Sequence, residues 1–192
     1  LLFFLTMISS AQSQKNLDSL EQVFTNSPSS EGSVDARNSF VWEIRVAEPE
    51  RARTLITESI GVARKLGYRL GEAKALSHLG SICQESGQLD SALHYHRLSL
   101  AVNTTLNETD EVATNYNKIG IAHYTFGATD SALHYYQKAI SIYTDELGIA
   151  KTSNNIGLIY KSQGKYYEAM NYFIDAADGF EKAGLDLYVA VT

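Results

Sequence analysis

Gly120-Ile121-Ala122-His123-Tyr124-Thr125-Phe126-Gly127-Ala128-Thr129-Asp130-Ser131-Ala132-Leu133-His134-Tyr135 places two glycines seven residues apart, just ahead of a hexapeptide that starts at Asp130. Both features recur. The pair Gly80 and Gly87 lies 40 residues earlier, and Gly157 and Gly164 lie 37 residues later. The hexapeptide Asp130 to Tyr135 matches Asp90 to Tyr95 letter for letter. A period of this size marks stacked structural units, each too small to bury its apolar face alone. It predicts a repeat array, and a binding surface before a catalytic one.

Within the unit the apolar spacing is helical. Ala113, Tyr116, Ile119, Gly120 and His123 lie along one stripe; after Gly127, Ala132, Leu133, Tyr136, Ala139, Ile140 and Tyr143 lie along a second. Asp130 is expected to cap the second helix and complement its dipole. Gly120, Ala132 and Ala139 are small where the two helices must approach closely. The next unit repeats the scheme with Ile156, Gly157, Tyr160, Gly164, Ala169, Phe173 and Ala176, and the preceding one with Leu76, Leu79, Gly80, Cys83, Gly87, Ala92, His96 and Leu100. Gly67, Gly148 and Gly184 form a third series, expected just past helix ends in the left-handed conformation. The first unit is degenerate: Val41 and Trp42 mark one helix, Pro49 opens the next, and Ala52, Ile56, Ile60 and Ala63 form its stripe.

Bulk composition agrees with a folded helical chain of 192 residues, with two prolines and 44% hydrophobic content. The net charge of −6 and the lack of any Lys/Arg cluster argue against a direct nucleic-acid partner. The lone Cys83 excludes an internal disulfide framework and reads as a small core residue. No cofactor is expected, because neither Gly-x-Gly-x-x-Gly nor a phosphate loop is present. Leu1 to Ile8 is strongly apolar and leads into Ser9-Ser10-Ala11, which matches a signal peptide with cleavage after Ala11. The run is too short to span a bilayer. It predicts export to the periplasmic or extracytoplasmic side of the inner membrane, with any membrane attachment supplied by parts outside this chain.

The order of residues resembles the tetratricopeptide repeat, carried here by Tyr116, Ile119-Gly120, Gly127, Ser131-Ala132, Tyr136 and Ala139, and again by Ile156-Gly157, Tyr160, Gly164, Glu168-Ala169, Phe173 and Ala176. The usual unit has about 34 residues, so these units run slightly long. The resemblance implies an all-α fold, an α-solenoid of stacked antiparallel helix hairpins. It divides the chain into a signal peptide at 1–11, a capping helix and Ser-rich loop at 15–33, and an array at 34–192. The units fall at about 34–68, 69–108, 109–146 and 147–183, with a further one beginning at 184–192. Glu48-Pro49-Glu50-Arg51-Ala52 and Lys65-Leu66-Gly67-Tyr68 are also similar to exported repeat regions of Bacteroidetes-type signalling proteins. That narrower resemblance implies the sensing region of a membrane signalling protein such as a histidine kinase. The alternatives are a freestanding periplasmic scaffold, or the N-terminal region of a nucleotide cyclase or DNA-binding regulator.

Catalysis and metal binding find no support in the pattern. His94 and His96 are two apart on a helix and diverge by about 200°, the wrong geometry for one metal. His94 and His134 are expected on outer faces, His96 and His123 on packing stripes. A protein or peptide ligand is the expected partner, and the sequence is compatible with a homodimer. In the family resembled, the first helix of each unit lines the concave surface. The candidate binding residues there are Asn117, Lys118 and Tyr124 in the third unit, Lys151 and Asn155 in the fourth, and His78 in the second. Tyr124 is singled out because it lies off the stripe that holds Tyr116 and Ile119. An Asn amide can pair with both donor and acceptor of a peptide backbone, and Lys can meet a carboxylate.

Overall fold

A computed structural model describes residues 2–185, and for residues 2–13 the backbone alone. Among the described residues there are nine α-helices and no strand. The chain divides into two compact units, residues 1–86 and 87–192. The first holds α1 (Leu2–Asn26), α2 (Glu31–Ile44), α3 (Pro49–Leu66) and α4 (Arg69–Glu85). The second holds α5 (Leu89–Leu106), α6 (Thr109–Thr125), α7 (Thr129–Ile142), α8 (Glu146–Ser162) and α9 (Tyr166–Lys182). The further helix expected from Leu185 onward lies outside the described residues.

Five connections share one closure. The residue after the last helical turn takes φ near +70° in Gly67, Gly127, Gly164 and Gly184, and +58° in Asn107. The following amide then donates five residues back: Tyr68 to Ala63, Ala128 to His123, Lys165 to Tyr160 and Leu185 to Phe180 at 2.9 Å, and Glu108 to Asn103 at 3.1 Å. This is how a left-handed residue satisfies the last free carbonyls of a helix. Gly87 has the same sign of φ, +73°. Gly148 does not. It sits in the first turn of α8, buried beneath the Tyr143 ring, so its lack of a side chain serves packing rather than helix closure. The position that closes the long helix ahead of the third unit is Asn107, which shares Asn's tolerance of the left-handed region.

Two other expectations are corrected. Asp130 and Asp90 lie inside the first turns of α7 and α5, whose N-cap residues are Ala128 and Gln88, and neither acid makes a capping bond. Each turn winds directly from its glycine into the next helix, which leaves the aspartate the dipole role alone. The Ser-rich loop expected to run to Ser33 is also shorter, because Ser30 caps α2 by accepting from the Ser33 amide at 3.1 Å, so the helix begins at Glu31.

In the first unit, Asn38 ties three helices together. Its amide donates to the Gly71 carbonyl at 3.1 Å, and the Ser59 hydroxyl donates to its Oδ1 at 2.6 Å, all buried. Tyr68 lies over Gly71 and donates its hydroxyl to Asp35 at 3.0 Å. Burial, with that carboxylate, pushes the phenol up to about 12. The stripe Ala52, Ile56, Ile60, Ala63 is buried as the spacing predicts, and Pro49 opens α3 as its first residue. Cys83 is fully buried, with Arg53 reaching its Sγ at 3.7 Å and burial pushing the thiol up.

In the second unit the hairpins α6–α7 and α8–α9 pack internally, and α5 on α6 and α7 on α8 continue the order. Tyr136 fills the space left by Gly120, and Phe173 fills that left by Gly157. Ala132, Tyr136, Ile156 and Ile159 form one buried cluster, and Leu93, Ile119 and Ala122 another. The signature residues Ala92, Ala132 and Ala169 are all buried, as is Gly80 in α4. Burying an aromatic such as Tyr136 contributes about 1.5–3 kcal/mol.

Candidate functional site

Two of the predicted surface residues meet across helices. Asn155 of α8 donates its amide to Oδ1 of Asn117 on α6 at 3.2 Å, and both are half-buried. Helical spacing sets the surroundings: Asn117, Lys118, Ile121 and Tyr124 share one face of α6, and Lys151, Asn154, Asn155, Leu158 and Lys161 one face of α8. Lys151 and Lys161 are exposed, and Leu158 is 40% exposed. The whole stripe holds three lysines and no carboxylate, in a chain of net charge −6. Each amide keeps further donor and acceptor capacity after the mutual bond. Chemically, the arrangement offers fixed amides flanked by cations over an apolar floor.

Other predicted residues are placed differently. Lys118 is half-buried and lies close enough to His96 for its charge to reinforce what burial does, holding that imidazole down at about 3 and so neutral. Tyr124 is not clear of the packing: it is half-buried against the Tyr136, Ile156 and Ile159 cluster. The stripe assignment from one helix missed this because the cluster against which the ring packs is built by α7 and α8, not by α6 itself. His78 belongs to α4 in the first compact unit, half-buried with its ring 4.9 Å from that of Trp42. His94 and His134 are exposed, and His123 stacks on Tyr135 at 5.3 Å.

The reading of the sequence overlooked Asp110, which organises the approach to α8. Its carboxylate accepts from the Thr144 amide and hydroxyl, both at 2.7 Å, and from the Asp145 amide at 3.3 Å. Those bonds hold its pKa below the usual carboxylate range. Asp145 in turn caps α8, accepting from the Gly148 amide at 2.8 Å. Nothing short of the folded connector brings residues 110 and 144 together, so no local motif announces the contact. Among the described residues, no helix is long and apolar enough to cross a membrane.

Models of the tetratricopeptide repeat match residues 71–145 and 149–183, together more than half of the chain. The chain belongs to the tetratricopeptide repeat family. No curated protein matches it closely. Among solved structures, MamA is similar at 22% identity and a TM-score of 0.59, over 88% of each chain. The tetratricopeptide repeat domain of Arabidopsis FLU is 25% identical with a TM-score of 0.52, over 56% of this chain and 92% of that domain. The Rap conjugation gene regulator of plasmid pLS20, solved in complex with the Phr* peptide, is 18% identical with a TM-score of 0.71, over 92% of this chain. This chain spans about half of that regulator's length, 52%. These likenesses establish the all-α helical repeat fold, and the family suggests a protein-interaction module.

Proposed function

We propose that the face formed by α6 and α8 binds an extended, acidic peptide segment of a partner protein. The observation that carries this reading is the Asn117–Asn155 bond at 3.2 Å, set among Lys118, Lys151 and Lys161. A paired amide is already oriented before ligand arrives, so less ordering entropy opposes binding. The amides read backbone donors and acceptors, while the lysines attract carboxylates and raise the encounter rate. The Rap regulator supports this reading by analogy, as its structure contains a bound peptide. The test uses peptides selected on the intact chain and measures affinity by calorimetry. Asn155→Ala with Lys118→Ala should weaken binding at least about tenfold, equal to about 1.4 kcal/mol, with the helical content unchanged. Equal affinity in the double variant rejects the assignment.

We further infer that the chain is exported and acts as the extracytoplasmic sensing region of a signalling protein. Support comes from the apolar run Leu1 to Ile8 with its small-residue end, and from the resemblance around Glu48 to Ala52. Ligand capture would then stabilise one arrangement of the helices over others. N-terminal sequencing of protein from the cell envelope should begin at Gln12; an intact leader in the cytoplasmic fraction overturns this part.

A further inference from the structure

Arg37 occupies a core position. Val34, Arg37, Val41 and Ile44 follow one another along α2 at spacings of three, four and three, and are 0%, 5%, 0% and 4% exposed. Three of the four are aliphatic, as a buried stripe requires, and the other carries a permanent charge. Its guanidinium carbon lies 5.1 Å from the centre of the Phe24 ring, which meets the charge but gives the N–H donors no acceptor in return. Nε and Nη1 are buried with no hydrogen-bond partner, and Arg37 forms no ion pair among the described residues. A buried cation in that condition is costly unless something from outside the chain completes it.

The same side chain lines a depression of about 390 Å³ beside α3. Glu58, Gly61, Val62 and Lys65 form its α3 wall at spacings of three, one and three, and Pro28 closes it from the loop ahead of α2. Burial pushes the Arg37 guanidinium down and the Glu58 charge draws it back up, so the charged end of the side chain, and not its stem alone, lies at this depression. Gly61 keeps the space open. No atom lies within 4 Å of a Cβ placed there, so a long side chain at that position would fill the depression. The glycine weakens the middle of α3, and no close approach within the chain requires it. The charged residues of the lining are Arg37, Lys65 and Glu58, a surplus of one cation. The other carboxylates at this end of α2 are turned elsewhere: Asp35 accepts from the Tyr68 hydroxyl, and Glu31 acts on the same phenol.

We propose that this depression binds a small oxyanion, the carboxylate or phosphate group of a small molecule, between Arg37 and Lys65. Pro28 and Val62 wall the apolar part of the molecule that carries it. A guanidinium spreads its charge over a planar fork that matches either group, so an oxyanion supplies the acceptors that no residue of the chain provides. Lys65 is exposed and adds a second cation at the rim. Glu58 opposes the anion, which fixes the sign of one arm of the test. The site shares no residue with the peptide face on α6 and α8 and does not depend on it.

Titration of the full chain with sodium phosphate and with sodium acetate, against sodium chloride at matched ionic strength, tests it. The readouts are the Arg37 Nε–H resonance and the melting midpoint. Phosphate or acetate should move both saturably where chloride does not, and the tighter of the two identifies the group. Gly61→Met leaves Arg37 in place and should abolish the saturable response at unchanged helical content. Lys65→Ala should weaken binding about threefold, the size expected for an exposed charge, and Glu58→Gln should tighten it by a similar factor. If Arg37 is balanced by Glu58 instead, Glu58→Gln lowers the melting midpoint without improving affinity, and the proposal is overturned. It is equally overturned if neither oxyanion shifts the resonance beyond the chloride control, or if Gly61→Met binds like the wild type.

Discussion

A Cβ placed on Gly120 would come within 2.6 Å of the Tyr136 ring and 3.3 Å of the Ala132 carbonyl, and Tyr136 is fully buried. The ring cannot swing away, so Gly120→Ala should cost about 1–3 kcal/mol, the usual range for overpacking. Gly61 supplies the contrast: it lies mid-helix in α3 with open space around it. Gly61→Ala should stabilise by up to about 1 kcal/mol by removing backbone freedom from the unfolded chain. Urea midpoints moving in opposite directions confirm the pair of predictions; equal shifts would refute the close-packing account. His96 makes a second single-residue argument. It is fully buried, neither ring nitrogen has a hydrogen-bond partner among the described residues, and its pKa falls from 6.5 to about 3. The unfolded chain therefore binds a proton that the folded chain refuses. Stability from this site is complete above pH 6.5 and is lost as pH falls toward about 3, by up to about 1 kcal/mol per pH unit. Replacing it with Phe should flatten that acid limb in urea titrations between those limits.

The helices themselves are ordinary products of spacing and closure, but the α7–α8 connector is held by a side chain 34 residues away. Asp110 receives three donors from Thr144 and Asp145. Its depressed pKa means that the anchor contributes above the unfolded carboxyl value and is lost as pH drops through the folded one. Asp110→Asn should cost about 1 kcal/mol at neutral pH, at the low end for charge-assisted bonds because the site is wet. The difference from wild type should shrink in acid. Amide exchange at Thr144 and Asp145 reads the same contact directly, and unchanged protection in the variant would show that the connector holds itself.

For the molecule as a whole, the functional consequence is linkage between ligand and stability. A peptide that binds only the folded chain raises unfolding free energy by about 2.7 kcal/mol at a hundredfold excess over its Kd. A peptide selected on the intact protein should raise the melting midpoint accordingly, and the Asn155→Ala, Lys118→Ala variant should lose the shift relative to its own midpoint without peptide. If the variant keeps the ligand-induced shift, binding lies elsewhere on the molecule.

The repeat order, the helix pairs and the glycines that let them touch were legible in the letters because each depends on short-range spacing: Gly120 and Tyr136 sit 16 residues apart on adjoining helices. Asn117 and Asn155 could be nominated as surface polar residues on the same grounds. Their bond could not, since it depends on how successive hairpins align over 38 residues. The same limit explains Tyr124, packed on a cluster built by α7 and α8, Gly148, shaped by Tyr143 rather than by a helix end, and Asp110, which meets its partners only once a connector has folded. Periodicity records what each helix needs along its own axis, whereas the partner across a gap is chosen by packing between elements that the local pattern does not encode.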